Sequence, residues 1–467
     1  MNVLRQGMET MQEKKGKGPS RRDIIRSAGA AAVLGAAAGA SAAPGGAVTA
    51  PRPPRAFSRQ AEVPGFGKAR VVIVGGGWSG LEVARQLKKL KPELDVVLIE
   101  KRATFFSCPL SNLWLVGKLP LEELIHSYTD AARNHDYTWL HAAVVDVDRE
   151  RRVVYTDEGW LTYDFLVLAP GIDYDYARYG VPDATEAARL RSMYPAAFKP
   201  GSEHITLRHK LENFEEGIFL LTVPPGNYRC LPAPYERACM IAGYMKENDI
   251  KGKVLLLDVH DEPPFKPDGI NEAINDLYKD HIEIVRGVKV MGIDVSRRTL
   301  HTNKGDITFD DAAIYPPVRG AKILERIGIA KTDEPGLFAH IDPVKYHVIG
   351  DERVFVGGDA RPMPFVKAGF AANYEAGHIA RIITNQMDGK EMGPLQSPGM
   401  MCYVAVNADP LQSVAFKISF GMVYDRKTGG YVFRQTAQAF VNRSRAFGKA
   451  NLQWGRSLFN EMFYSAL

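Results

Sequence analysis

Cysteine is scarce in this chain: Cys108, Cys230, Cys239 and Cys402 are the four among 467 residues. No two of them make C-x-x-C and there is no C-x-x-C-H, so the chain attaches no c-type haem of its own. Their spacing permits up to two disulfides and assigns none. Long apolar runs are missing too. Residues 28–40 are Ala-rich, too short and too weakly hydrophobic to span a membrane stably, and no later stretch is long and apolar enough. A large charge excess is also absent. The formal net charge is +5, part of it in the first residues, and no basic tract is interleaved with aromatics, which argues against nucleic acid. What remains is ordinary globular composition and length for two or three domains.

Against these absences stands one dense signal at residues 68–100, KARVVIVGGGWSGLEVARQLKKLKPELDVVLIE. An apolar strand, residues 71–74, runs into Gly75-Gly76-Gly77-Trp78-Ser79-Gly80, which fits G-x-G-x-x-G. Helical spacing follows over residues 81–90, then a second strand over 96–99 ending in Glu100. This is a dinucleotide-binding βαβ unit. Gly75 permits the tight turn. Gly77 lets the backbone approach a pyrophosphate on the helix amides, and Gly80 lets helix and strand pack closely. Glu100 suits a ribose.

The first 43 residues read as a targeting segment. Lys14, Lys15 and Lys17 form a basic region, Ser20-Arg21-Arg22-Asp23-Ile24-Ile25-Arg26 follows the twin-arginine pattern, and Ala40-Ser41-Ala42 is a cleavage site. Export of a folded, cofactor-loaded protein to the periplasm is therefore expected. Residues 44–68 read as a linker, rich in Pro, Ala and Gly up to Pro64.

Further along, residues 105–112, FFSCPLSN, follow the second strand. Residues 121–135 have helical character, 144–148 and 153–156 form a hairpin, and 163–171, YDFLVLAPG, is a buried strand and turn. A second α/β segment has strands at 217–223 and 253–258 and a helix at 234–246, and a strand at 312–316 closes it. Its turn, PPGNYRC at 224–230, lacks the glycine backbone, and its prolines remove amide donors, so NAD(P)H is not expected to dock there. Residues 354–359, VFVGGD, form a strand ending in Asp359, placed to bind flavin ribityl hydroxyls. Residues 367–387 are helical. The last seventy residues carry strand pieces at 402–406 and 431–433 and an aromatic tail with Trp454, Phe459, Phe463 and Tyr464. The fold class is α/β, with two Rossmann-like domains (69–178 with 340–390, and 179–339) plus a smaller α+β C-terminal interface domain, 391–467.

Together, VVIVGGGWSG, FFSCPLSN, YDFLVLAPG, RCLPAPYERA, VFVGGDA and PMPFVKAGFAAN resemble the flavoprotein subunit of flavocytochrome c sulfide dehydrogenase, a relative of sulfide:quinone oxidoreductases. The resemblance implies that Gly75, Gly77, Gly80 and Glu100 hold the adenosine and pyrophosphate of FAD, and Asp359 the ribityl chain. It matches Cys108 to a cysteine bonded covalently to the flavin 8α-methyl group, Cys230 to one of two redox cysteines, and Glu236 to an acid/base glutamate. Lys367 matches a cation near the flavin pyrimidine. Arg229, beside Cys230, is expected to favour its thiolate. The implied substrate is sulfide or a related small sulfur compound, and the implied partner is a separate c-type cytochrome.

One departure stands out. The family's second redox cysteine lies in a stretch that here reads Gly336-Leu337-Phe338-Ala339-His340-Ile341-Asp342, without cysteine. Cys239 is too close to Cys230 in sequence to be an obvious substitute, and Cys402 serves only if the C-terminal domain folds back onto the site. Cys230 acting alone through a persulfide, direct reaction of sulfide with the flavin, and a different substrate all stay open. So do two alternative functions: a quinone reductase whose aromatic tail enters a bilayer, and a non-catalytic FAD-binding partner protein.

Overall fold

The structure is a computed structural model and describes residues 59–65, 69–390, 399–426 and 429–465. The expected export segment and most of the expected linker lie outside the described residues. The described part of the linker is paired: Ala61 N donates to Trp160 O at 2.9 Å and Trp160 N to Arg59 O at 3.0 Å.

In chain order, the strands that position the site are β1 (Arg70–Val74), β2 (Asp95–Glu100), β3 (Thr138–His141), β4 (Phe165–Leu168), β5 (Glu216–Val223), β6 (Lys251–Asp258), β7 (Ile282–Val285), β8 (Asp311–Ala313), β9 (His347–Val348), β10 (Asp351–Val356), β11 (Gly399–Ala408), β12 (Leu411–Asp425) and β13 (Gly430–Ser444). The helices are α1 (Trp78–Leu90), α2 (Ala233–Glu247), α3 (Gly369–Met387) and α4 (Arg445–Phe459).

The first sheet runs β9-β10-β4-β1-β2-β3, parallel except at β9. Val71, Val72 and Ile73 are fully buried between β2 and β4, which is why this strand is a continuous apolar run rather than an alternating one. β10 returns from about 180 residues downstream to pair with β4, so one sheet carries both the glycine turn and Asp359. α1 and α3 pack against each other. The second sheet, β7-β6-β5-β8, is parallel, with α2 packed on β6.

The C-terminal sheet is a three-stranded antiparallel meander, β11-β12-β13, with α4 across it. Its strands are much longer than the short pieces expected at 402–406 and 431–433. Much of β13 and the end of β12 are exposed, so the apolar alternation that marks a half-buried strand is incomplete there. The expected helix at 121–135 is instead a short strand, Ile125–Ser127, and the helix Tyr128–Asn134. The strand pairs with Thr104–Phe106, and Ser127 caps the helix by accepting from Asp130 N at 3.1 Å.

Candidate active site

The ends of β1, β2, β4, β5 and β10, with β11 and the helices α1–α4, contribute to one cavity. The cradle comes first. Gly75 has φ +103°, and a Cβ there would lie 2.4 Å from Ala169 O. A Cβ on Gly80 would lie 1.8 Å from Gly75 O, so only glycine lets α1 sit this close to β1. Gly77 differs: a Cβ there would meet nothing within 4 Å, because its face opens on the cavity. It caps α1 without a side-chain acceptor, which leaves first-turn amides free for an anion. Glu100 closes the far side. Its Oε2 accepts from Gly76 N at 2.7 Å and its Oε1 from Arg102 N at 3.0 Å.

Two buried oxygens in this cavity have no partner in the protein, Ser79 Oγ and Asp359 Oδ1. The other Asp359 oxygen accepts from Arg229 Nε at 2.6 Å. A buried carboxylate oxygen is rarely left unpaired, and hydroxyl groups of a bound molecule would satisfy it. An open glycine cradle, a ribose acceptor and an unpaired acid therefore fit FAD.

Sulfur chemistry lies at the other end of the same cavity. Cys230 stands on the turn between β5 and α2 in the left-handed region, φ 58°, unusual for a residue with a Cβ. The turn is pinned by Cys230 N donating to Lys367 O at 2.7 Å and Ala233 N donating to Cys230 O at 2.9 Å. Glu236 lies in the first turn of α2. Its Oε1 accepts from Asn112 Nδ2 at 2.8 Å and its Oε2 from Ala405 N, on β11, at 3.1 Å. Burial pushes its carboxyl up to about 7 against those hydrogen bonds. A carboxyl held there can give or take a proton near neutral pH.

Two expectations are corrected. Arg229 does not favour a Cys230 thiolate. Its guanidinium turns the other way, to Asp359 and to Phe198 O (2.6 Å). Burial, then Cys402 and Glu236, push the Cys230 thiol well above its ordinary range. Lys367 does not line the cavity. Its Nζ donates to Asp359 O (2.8 Å) and Arg361 O (2.9 Å) and sits 3.9 Å from the Phe338 ring centroid. Those carbonyls hold the side chain behind Asp359, and burial lowers its amine to about 7. It positions the Asp359 loop.

Cys108 lines the cavity on the Arg229 side, its thiol 3.8 Å from Phe198 O. Burial pushes that thiol up, and Arg229, Arg237 and Arg102 pull it back. Cys239 is fully buried in the core and does not reach the cavity. Cys402 does reach it, from β11. Three contributors were not legible beforehand. Asn112 sits inside FFSCPLSN and holds both Glu236 and, through its Oδ1, Arg237 Nε at 3.1 Å. Arg237 is buried beneath Phe198. Trp454 of α4 stacks on Trp78 at 6.4 Å and 13°, so the tail covers the glycine turn.

The second α/β turn offers no comparable cradle. Tyr228 fills it, fully buried, with its hydroxyl on Leu231 O. At the end of β6, Asp258 is saturated by Tyr235 Oη, by His260 N and Nδ1, and by Arg286 Nη1 at 3.4 Å.

Residues 204–316 match the family described as the central part of the sulfide dehydrogenase [flavocytochrome c] flavoprotein chain. Residues 69–197 match the pyridine nucleotide-disulphide oxidoreductase family. The chain is a sulfide:quinone oxidoreductase-like flavoprotein of the flavocytochrome c sulfide dehydrogenase type. A mitochondrial sulfide:quinone oxidoreductase of Dictyostelium discoideum is 23% identical to this flavoprotein over 416 residues, 82% of this chain and 88% of that one. The sulfide dehydrogenase [flavocytochrome c] flavoprotein chain of Chlorobaculum thiosulfatiphilum is 48% identical over 46 residues, 10% of this chain and 96% of that sequence. The crystal structure of the sulfide:quinone oxidoreductase of Aquifex aeolicus shares the fold, with TM-score 0.65 at 15% identity over 84% of this chain and 91% of that one. The flavoprotein is thus an FAD-dependent oxidoreductase of the sulfide-oxidising group.

Proposed function

We propose that this flavoprotein is a periplasmic sulfide dehydrogenase that oxidises sulfide, or a related reduced sulfur compound, and delivers the electrons to a c-type cytochrome. The observation that carries this reading is the single cavity joining a dinucleotide cradle to Cys230 and Glu236. Bound FAD supplies a two-electron acceptor that can be emptied one electron at a time. Gly75, Gly77 and Gly80 would hold its pyrophosphate, Glu100 its ribose and Asp359 its ribityl hydroxyls. Glu236 exchanges the proton of the sulfur species, and Asn112 and Ala405 N keep its carboxyl aimed. Tyr228, buried in the second α/β turn, and Asp258, already hydrogen-bonded by neighbouring side chains, make that turn a poor cradle for a nicotinamide dinucleotide, which supports a sulfur donor over NAD(P)H. Cys108, on the basic side of the cavity, is the residue for a thioether to the flavin.

A quinone acceptor is the second reading, because matched relatives are named for quinone. The aromatic tail that reading would send into a bilayer is folded onto the protein instead. Met462 and Phe463 are buried, and Phe459 packs on Trp78. Among the described residues no helix is long and apolar enough to cross a membrane. The cytochrome reading is therefore preferred, and the twin-arginine pattern at residues 20–26 supports the periplasmic location.

The test is an anaerobic sulfide titration of the flavin-loaded protein without NAD(P)H, followed by addition of oxidised cytochrome c or a short-chain quinone. Bleaching near one sulfide per flavin, then cytochrome reduction, supports the proposal. Bleaching by dithionite alone rejects sulfide as donor. If Cys230→Ser also changes nothing, a non-catalytic role replaces it. Flavin that stays with acid-precipitated wild type but is released from Cys108→Ser establishes the thioether. Secretion of the full chain that stops in Arg21→Lys/Arg22→Lys establishes the export route.

A further inference from the structure

We propose that Cys402, carried by the C-terminal sheet, is the second sulfur of this site and closes a reversible disulfide with Cys230. The proposal deepens the reading of the cavity as a sulfur-oxidising site and rests on it. Both cysteines line that cavity, although 172 positions separate them in sequence. The two segments are fastened together at the site. Ala405, three residues beyond Cys402 on β11, donates its N–H to Glu236, six residues beyond Cys230. Tyr278 Oη donates to Asn407 Oδ1 at 3.1 Å, a second tie between β11 and the second domain.

Residues 336–342 and Cys239 are excluded by placement, and Cys108, which shares the cavity, is set apart by its charged neighbours. None of residues 336–342 lines the cavity, and Phe338 lies under Lys367 instead. Cys239 points into the core. Cys108 belongs to a different electrostatic neighbourhood, with Arg229, Arg237 and Arg102 acting on it. Cys230 and Cys402 share an acidic one, where Glu236 acts on both and Cys402 acts on Cys230. The left-handed backbone at Cys230 adds an independent pointer. That conformation is disfavoured for a residue with a Cβ, and such strain gathers where a side chain must be aimed.

The exchange balances without a further oxidant. Hydrosulfide attacks Cys402 Sγ, the Cys230–Cys402 bond breaks as the new S–S bond forms, and Cys230 leaves as a thiolate. The incoming sulfur is oxidised by the two electrons that Cys230 gains. Glu236, when protonated, gives that thiolate its proton. A second hydrosulfide then attacks the outer sulfur of the Cys402 persulfide, so that sulfur leaves as hydrodisulfide and Cys402 is freed as a thiolate. Re-forming the disulfide from the two thiols releases two electrons and two protons, which bound FAD would accept in turnover and which an azodicarboxamide oxidant such as diamide, reduced to its hydrazine, accepts in vitro.

The test is thiol mapping of the holoprotein. Wild type is treated with diamide, acid-quenched, alkylated and digested without reductant. A crosslinked peptide joining Cys230 to Cys402 supports the proposal, as does full alkylation of Cys230 in oxidised Cys402→Ser with Cys239→Ser unchanged from wild type. Alkylation of both cysteines in oxidised wild type, or a Cys230–Cys108 crosslink, overturns it. The mapping uses no sulfide, so it separates the two ideas. A crosslink in a protein that sulfide does not bleach keeps the pair and discards sulfide. Bleaching that is undiminished in Cys402→Ser keeps the activity and discards the pair. Because the wild-type crosslink is read without any variant, misfolding of Cys402→Ser leaves the test intact.

Discussion

Glu236 should make the protein lose stability as pH rises through neutrality. An ordinary glutamate has pKa 4.5, and burial holds this one at about 7. Below pH 4.5 the folded and unfolded states both carry the proton, and the contribution is fully present. Between 4.5 and about 7 the folded state binds the proton and the unfolded state does not, so stability falls with pH. At about 1.36 kcal/mol per pH unit, the loss from this group is about 3 kcal/mol by pH 8. Glu236→Gln removes the titration but not the cavity. Its amide oxygen still accepts from Asn112 Nδ2, while its amide nitrogen faces Ala405 N–H, donor against donor. That mismatch costs about 1–2 kcal/mol at every pH. The variant should therefore be less stable than wild type at pH 5 and more stable by about 1–2 kcal/mol at pH 8.5. The assay is urea unfolding of the flavin-loaded proteins across pH 5–9. Infrared difference spectra between the two proteins should show a protonated-carboxyl band that disappears with a midpoint near 7. A wild type whose Glu236 is ionised at pH 5, or a variant less stable at both ends, would refute the argument.

Other consequences are equally specific. Gly80→Ala puts a methyl group 1.8 Å from Gly75 O, so α1 must move off β1; the variant should be recovered without FAD, as read by its absorbance. Arg361→Met leaves Glu375, 1% exposed, without the Arg361 Nε donor at 2.7 Å, and should cost about 3–5 kcal/mol in urea unfolding, with Arg361→Met/Glu375→Leu recovering much of it. Lys367→Met strips the carbonyls of Asp359 and Arg361 of their donor and should lower the unfolding free energy by about 1–3 kcal/mol while leaving the flavin reduction potential unchanged. A large potential shift would return Lys367 to the flavin.

The sequence alone determined the local parts of this protein. The βαβ unit at residues 68–100 was legible because a strand, a three-glycine turn, a helix and an acid at fixed spacing interact with one another. The same locality made Cys230 and Glu236 readable as neighbours, one turn and one helix start apart. The second α/β turn was readable as poor in amide donors because proline removes an N–H wherever it stands. Only the tertiary structure decided what depends on contacts between distant segments. Neighbouring sequence placed Arg229 beside Cys230, yet the fold gives its guanidinium to Asp359, 130 residues away. Lys367 read as a cation for the cofactor, yet two carbonyls draw it behind the Asp359 loop. Cys402 lies on a strand piece that was legible, yet no spacing rule connects it to Cys230. A side chain's partner is set by where the backbone of other segments arrives, and the β11 amide on Glu236 is what brings that strand to the site.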